Sequence, residues 1–182
     1  MWTIRPEQPG DNAAIDTLTA QSFGAGRYAK TAYRLREGVA ADSRLGFVAE
    51  AEIQTEGQSG LIGSVRFWPI VIGEELALLL GPLAVQPRLR GRGIGIGLMQ
   101  RGLEEARKLG YRTVILIGDE PYYARVGFAR LQPGQIRFPG PVNSERILGL
   151  ALAPGALETL KGPVNRAKLD DPICAAAAPL GG

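Results

Sequence analysis

Histidine is absent from the 182-residue chain, and cysteine occurs once, at Cys174. Without histidine there is no imidazole base, no Ser-His triad and no His-ligated metal; with one thiol there is no intramolecular disulfide and no cysteine metal cluster. Cys174 lies in a stretch of tail-like composition and reads as an incidental or buried thiol rather than a nucleophile. No apolar run approaches the roughly 18 residues of a membrane-spanning helix, and no N-terminal apolar segment precedes a cleavage site. The expectation is a soluble cytoplasmic protein with no membrane partner and no metal.

Aromatic residues make up 7% of the chain, and none lies among the arginines that follow Gln86 until Tyr111. Stacked recognition of single-stranded nucleic acid is therefore poorly supported. What the chain does have is enough apolar content, 45%, to build one domain with a sizeable core. The formal charge of +3 is mild but uneven: between Gln86 and Arg112 stand seven Lys or Arg against two acids, Glu104 and Glu105. Such a patch attracts a polyanion.

The chain is organised around Leu76 to Leu109. The apolar run Leu78 to Val85, bounded and interrupted by Gly81-Pro82, reads as a buried strand with a bulge or a stop in its pairing, because proline has no N–H for a ladder. Gly91, Gly93, Gly95 and Gly97 then alternate with Arg92, Ile94 and Ile96, and from Ile94 apolar residues recur at helical spacing through Leu98, Gly102 and Ala106. Glycines at a helix start let orphan N–H groups converge on an anion at the positive end of the dipole, and Arg88, Arg90 and Arg92 add charge suited to phosphate. A mononucleotide P-loop is excluded because no Lys-Ser or Lys-Thr follows. The dinucleotide pattern fails because Ile96 stands where its third glycine belongs.

What remains is Arg90-x-x-Gly93-x-Gly95 after an interrupted strand, followed by a second strand-like run, Thr113 to Ile117, and then Tyr123-x-x-x-Gly127-Phe128. These two ordered motifs resemble the coenzyme A pyrophosphate loop and the following Tyr-x-x-x-Gly-Phe segment of the GNAT N-acetyltransferase superfamily. The resemblance implies an α/β (α+β) fold. Its sheet is mixed and mostly antiparallel, with six to seven strands splayed at strands 4 and 5 and about four flanking helices. It covers residues 1–152, leaving 153–182 as a short helix and a loosely held tail. Homodimers are common in the family.

The rest of the chain reads in that frame. Trp2 to Arg5 is a first strand; Asp11 caps a helix carrying Ile15, Leu18 and Phe23; residues 27–37 form a second helix stopped by Gly38. Leu45 to Glu50 and Leu61 to Trp68 form a hairpin joined by a polar turn at 54–60. Ala129 to Leu131 and Arg146 to Leu152 supply the last strands. Between them the Pro/Gly-rich loop 133–143 is either an acceptor-site wall or a plain crossover.

The resemblance further implies acetyl transfer from acetyl-CoA to an amine by direct attack. The pantetheine arm would pair with Leu83, Ala84 and Val85, with a backbone N–H at Leu83 or Val85 polarising the thioester carbonyl. The diphosphate would meet Arg90, Gly91, Arg92, Gly93, Ile94, Gly95 and Ile96. Tyr123 occupies the position of the acid that protonates the leaving thiolate, Tyr122 reads as a packing or acceptor-wall residue, and Asp119 contacts the coenzyme arm or acceptor, or else simply caps a helix. With no histidine, the base must be a carboxylate or water held by one, with Glu50, Glu74, Glu75 and Asp119 the candidates. Other readings stay open: a non-catalytic acyl-CoA-binding module of the same fold, a nucleic-acid binder using the arginine patch, and, remotely, an oxidoreductase with a degenerate nucleotide loop.

Overall fold

The computed structural model describes residues 1–24, 30–51 and 60–168. The start of the second predicted helix at 27–29, most of the 54–60 turn and the tail with Cys174 lie outside the described residues. Nine strands are formed among the described residues: β1 (Trp2–Pro6), β2 (Phe47–Ala51), β3 (Leu61–Ile72), β4 (Glu75–Val85), β5 (Thr113–Ile117), β6 (Ala129–Arg130), β7 (Ile136–Arg137), β8 (Ile147–Ala151) and β9 (Gly162–Arg166). The helices are α1 (Asn12–Phe23), α2 (Thr31–Arg34), α3 (Ile94–Lys108), α4 (Glu120–Tyr123) and α5 (Ala156–Thr159). The sheet runs β1-β2-β3-β4-β5-β8-β6, with β9 antiparallel to the far end of β3 and parallel to β7. Every pair along the main path is antiparallel except β4 with β5, which α3 connects.

Residues Leu78, Leu79 and Leu80 are consecutive and all apolar because both faces of β4 are covered. Side chains alternate across a strand. Leu78 joins Phe67, Val114, Leu98 and Leu103 under α3, whereas Leu79 joins Ile70, Ile115, Leu35 and Leu160 on the opposite face. Helix α3 turns Ile94, Leu98, Met99, Leu103 and Ala106 inward. Gly102 lets it press close, since a methyl group there would overlap the Phe67 ring.

Two short strands were not foreseen from sequence. β9 binds Val164 and Asn165 to the end of β3, and β7 lies inside the 133–143 loop. Both are brief and flanked by Pro or Gly, so neither carries a legible alternation. Asp11 stands at the helix entrance as expected, but its carboxylate bonds Arg5 (2.7 and 2.9 Å) and Gln8 N–H rather than capping α1.

Asp42, with a fully buried side chain, accepts hydrogen bonds from Arg44 Nε (2.8 Å), Arg44 Nη2 (2.6 Å), Arg44 N (3.1 Å) and Tyr111 Oη (2.9 Å). Burial alone would raise this carboxyl, but the bonds from Arg44 and Tyr111 outweigh it and hold it below the ordinary 3.8. A group with a lowered folded pKa contributes stability above its unfolded value and loses it as pH falls through the folded one. The melting temperature should therefore drop as pH falls below about 4. Asp42→Asn should flatten that drop and cost about 1.5–3 kcal/mol at neutral pH, read by thermal melts from pH 2 to 7.

Candidate functional site

The site begins where β4 parts from β5. Their parallel pairing is confined to Leu78 with Val114 and Leu79 with Ile115. Beyond that point β4 continues along β3 through Val85, so Gly81-Pro82 does not interrupt the strand. It forms a bulge instead: Phe67 lies opposite Leu80 and Val65 opposite Leu83, which leaves one more residue on β4 than on β3. The Gly81-Pro82 peptide is cis, and the Trp68 indole Nε1 donates to Gly81 O at 2.6 Å, bracing the bulge from β3.

Register decides which backbone groups face the opening. Gln86 N–H donates to Ile62 O at 2.9 Å. In an antiparallel ladder the bonded pairs alternate, so Ala84 also turns its N–H toward β3, while Leu83 and Val85 turn theirs away, toward the gap left by β5. Ala84 has its methyl group in the core beside Ile15, Leu18 and Val48, so neither its N–H nor its side chain faces the gap.

The glycine loop lies next to this edge. Gly91 and Gly93 have φ of 80° and 81°, and Gly93 begins α3 without any side-chain cap. A Cβ on either would meet nothing within 4 Å, so the loop presents open backbone. The first helical bond runs from Gly97 N–H to Gly93 O, leaving the N–H groups of Ile94, Gly95 and Ile96 at the helix start outside the α-helical ladder. Ile94 contributes backbone only, because its side chain is buried under the sheet. Arg90 N–H turns back to Pro87 O (3.4 Å), so the open cradle starts after it; Arg90 and Arg92 project exposed guanidinium groups around the loop.

Tyr123 ends α4, across the gap from β4. Its ring lies against Gly118, where a methyl group would overlap it, and makes an edge contact with Phe128 at 6.2 Å. Burial, with Tyr122 and Asp119 nearby, pushes its phenol up to about 12, so the hydroxyl stays protonated at physiological pH. Tyr122 is not on the acceptor side. Its hydroxyl sits over Gly95, and it meets Tyr123 edge-on at 5.1 Å.

Tyr123, Gly81 to Leu83 and Asp119 line one cleft of about 870 Å³, closed on its other sides by α1, α2, β3 and the 141–146 loop. Thr31 Oγ1 donates to Pro141 O (2.7 Å), so the Pro/Gly loop forms a wall here rather than a detached crossover. Asp119 does not cap α4 through its side chain; it is exposed and pairs with Arg146 at 3.2 Å. Of the base candidates, only Asp119 lines the cleft. Glu50 is held by Arg5 (2.5 Å), and Glu74 and Glu75 lie at the far turn, roughly 20 Å along β4 from Gly81 at 3.3 Å per residue. Asp16, Glu37, Arg36 and Trp68 also line the cleft. These were missed because nothing in the local pattern of α1, α2 or β3 marks them; they meet only through the fold. A second hollow of about 800 Å³, between residues 130–137 and 157–162, contains none of these groups. Among the described residues no helix is long and apolar enough to cross a membrane.

Comparison with known proteins bears on this geometry. Residues 12–131 match the acetyltransferase (GNAT) family model. The chain is 33% identical over 164 residues to the uncharacterized N-acetyltransferase YhbS of Escherichia coli K12, covering 89% of this chain and 94% of that protein. The crystal structure of E. coli YhbS in complex with CoA superposes with a TM-score of 0.73 at 31% identity, covering 91% of this chain and 89% of that one. A GNAT family acetyltransferase from Brucella melitensis in complex with acetyl-CoA gives 0.67 at 29% identity, over 92% and 96% of the two chains. The parted strands, the uncapped glycine loop and these likenesses together make the chain a member of the GNAT acetyltransferase family.

Proposed function

We propose that the protein transfers an acetyl group from acetyl-CoA to a primary amine by direct attack within a ternary complex. The observation that carries this reading is that the unpaired side of β4 at Leu83 faces the cleft lined by Tyr123. The groups present suit the coenzyme: an amide-rich arm can add to the free edge of Leu83 and Val85, and a diphosphate suits the open amides between Gly91 and Ile96 beside Arg90 and Arg92. Ala84, facing β3, fixes the register of that edge. Acetyl-CoA supplies the thioester, whose acyl carbon accepts the amine lone pair while the carbon–sulfur bond breaks.

The chain's own part is electrostatic and protonic. Leu83 N–H, turned toward the gap, would donate to the thioester carbonyl oxygen as it gains negative charge. Tyr123 Oη holds a proton for the departing thiolate. The amine's proton leaves before attack, with Asp119, Asp16 and Glu37 the carboxylates on the cleft wall among the described residues. Because burial raises the Tyr123 phenol to about 12, kcat/KM should rise with pH through the amine's own titration and show no descending limb from this residue across the neutral and mildly alkaline range.

Thermal melts with acetyl-CoA, longer acyl-CoAs, NAD and an oligonucleotide, followed by thiol release over an amine panel, test the reading. A ligand at 100 times its Kd adds about 2.7 kcal/mol of stability, so millimolar acetyl-CoA should raise the melting point clearly. No shift would reject the proposal. Gly118→Ala should displace the Tyr123 ring and lower kcat on the order of 10- to 100-fold with CoA affinity retained.

A further inference from the structure

Among the described cleft residues, Arg66 and Arg146 are neutralised, Lys30 is exposed to solvent over the Phe23 ring at 5.3 Å, and Arg36 is neither neutralised nor exposed. Arg66 is bound by Glu7 and by Asn12 Oδ1 (2.8 Å), and Arg146 by Asp119. Arg36, in the turn after α2, has no carboxylate partner among the described residues, although Glu37 and Asp16 line the same cleft. Its Nε is buried without a hydrogen-bond partner. Its position is fixed: Leu35 is anchored in the core, and Arg36 N–H donates to Tyr33 O at 2.9 Å. The guanidinium lies over the Trp68 ring at 5.9 Å, and a Cβ placed on Gly81 would stand 2.7 Å from Nη2.

A guanidinium taken out of water without a counter-ion is costly to the fold and is normally paired. Burial draws Arg36 down to about 10, which still leaves it charged at neutral pH. Packing against Trp68 does not require a charge, and no described carboxylate uses it. Its five donors suit a planar or tetrahedral oxyanion.

From this juxtaposition we infer that the acceptor amine carries an anionic oxygen group, a carboxylate or a phosphate, which binds Arg36 beside the Gly81-Pro82 bulge. The inference rests on the acetyl-transfer reading and narrows its substrate class. The anion belongs to the acceptor rather than to the coenzyme, whose diphosphate is assigned to the far side of Leu83 at the start of α3. Gly81 is two residues from Leu83, so amine and anion are separated by only a few bonds. Trp68 and Leu80 offer apolar surface to the connecting carbons.

The test uses the full chain with acetyl-CoA and matched amines: 4-aminobutyrate against butylamine, phenylalanine against phenethylamine, and O-phosphoethanolamine against ethanolamine. The wild type should favour at least one anionic member over its neutral twin by about 10- to 100-fold in kcat/KM, the range of a charge-assisted hydrogen bond. The carboxylate and phosphate pairs tell which oxyanion is taken. Arg36→Met should erase that preference by raising KM for the anionic member, leave the neutral twins nearly unchanged, and retain CoA affinity. Arg36→Lys should restore part of the preference and serves if Arg36→Met does not fold. Equal rates within every pair, or an equal loss on neutral and anionic amines in the variants, would overturn the inference.

If CoA binds but no amine turns over, the transfer reading fails separately. Calorimetry then reads anion recognition directly, with N-acetylphenylalanine, 4-acetamidobutyrate and N-acetyl-O-phosphoethanolamine added to the protein with and without CoA. Binding that Arg36→Met abolishes would support the anion site, and absence of binding would overturn it.

Discussion

Replacing Tyr123 with phenylalanine should lower kcat by about 10²- to 10⁴-fold while affinity for CoA stays essentially unchanged, the loss associated with a positioned general acid. The ring's place does not depend on its hydroxyl. It is set by the overlap-free space above Gly118, by Phe128 and by the backbone bond from Tyr123 N–H to Asp119 O at 3.4 Å. The variant therefore removes a proton without removing a wall. Rates measured with leaving thiols of different acidity would sharpen the result, since a thiol that leaves readily as the anion needs less help and should narrow the gap. Full activity in Tyr123→Phe would return the residue to a packing role, and CoA binding without turnover even in the wild type would favour a sensor of the same fold.

The second large effect concerns an atom that belongs to no side chain. Substituting the α-hydroxy acid analogue of leucine at position 83, so that an ester oxygen replaces the amide N–H, should lower kcat by about 10²- to 10³-fold, as loss of one oxyanion donor does elsewhere. Stability should change little, because this N–H faces away from β3. The same replacement at Ala84 should do the reverse. Its N–H faces β3, so stability should fall by about 1 kcal/mol and turnover should survive. Comparable losses of kcat at both positions would mean that strand integrity, rather than one oriented donor, is being measured.

Much of this site was legible because its parts are backbone, and backbone geometry is written in residue type. Gly91 and Gly93 announce positive φ and open amides, Gly81-Pro82 announces a ladder irregularity, and the run from Leu78 to Val85 announces a strand covered on both faces. Both a bulge and a stop in pairing fit that dipeptide. It is a bulge, since β3 stays with β4 through Val85 and only β5 departs.

The acceptor side was scarcely legible. Arg36, Trp68 and Thr31 sit on segments whose local pattern is unremarked, and they converge only because Leu35 buries against β3 and β4 and the 141–146 loop folds over α2. Glu50, Glu74 and Glu75 were plausible bases by residue type alone. Their position along the strands, which spacing in the sequence does not report, removes them. Tyr122 and Tyr123 are adjacent, yet one faces Gly95 and the other Gly118, because one residue of helix turns a side chain by about 100°.

Amide hydrogen exchange, read residue by residue with and without CoA, tests directly whether the free edge of β4 and the glycine loop grip one coenzyme. The amides of Leu83, Val85, Gly95 and Ile96 should gain protection together, while Ala84 and Gln86, already turned to β3, should change little. Protection that rose at Ala84 and Gln86 instead, or that left the loop after Gly91 untouched, would contradict the site.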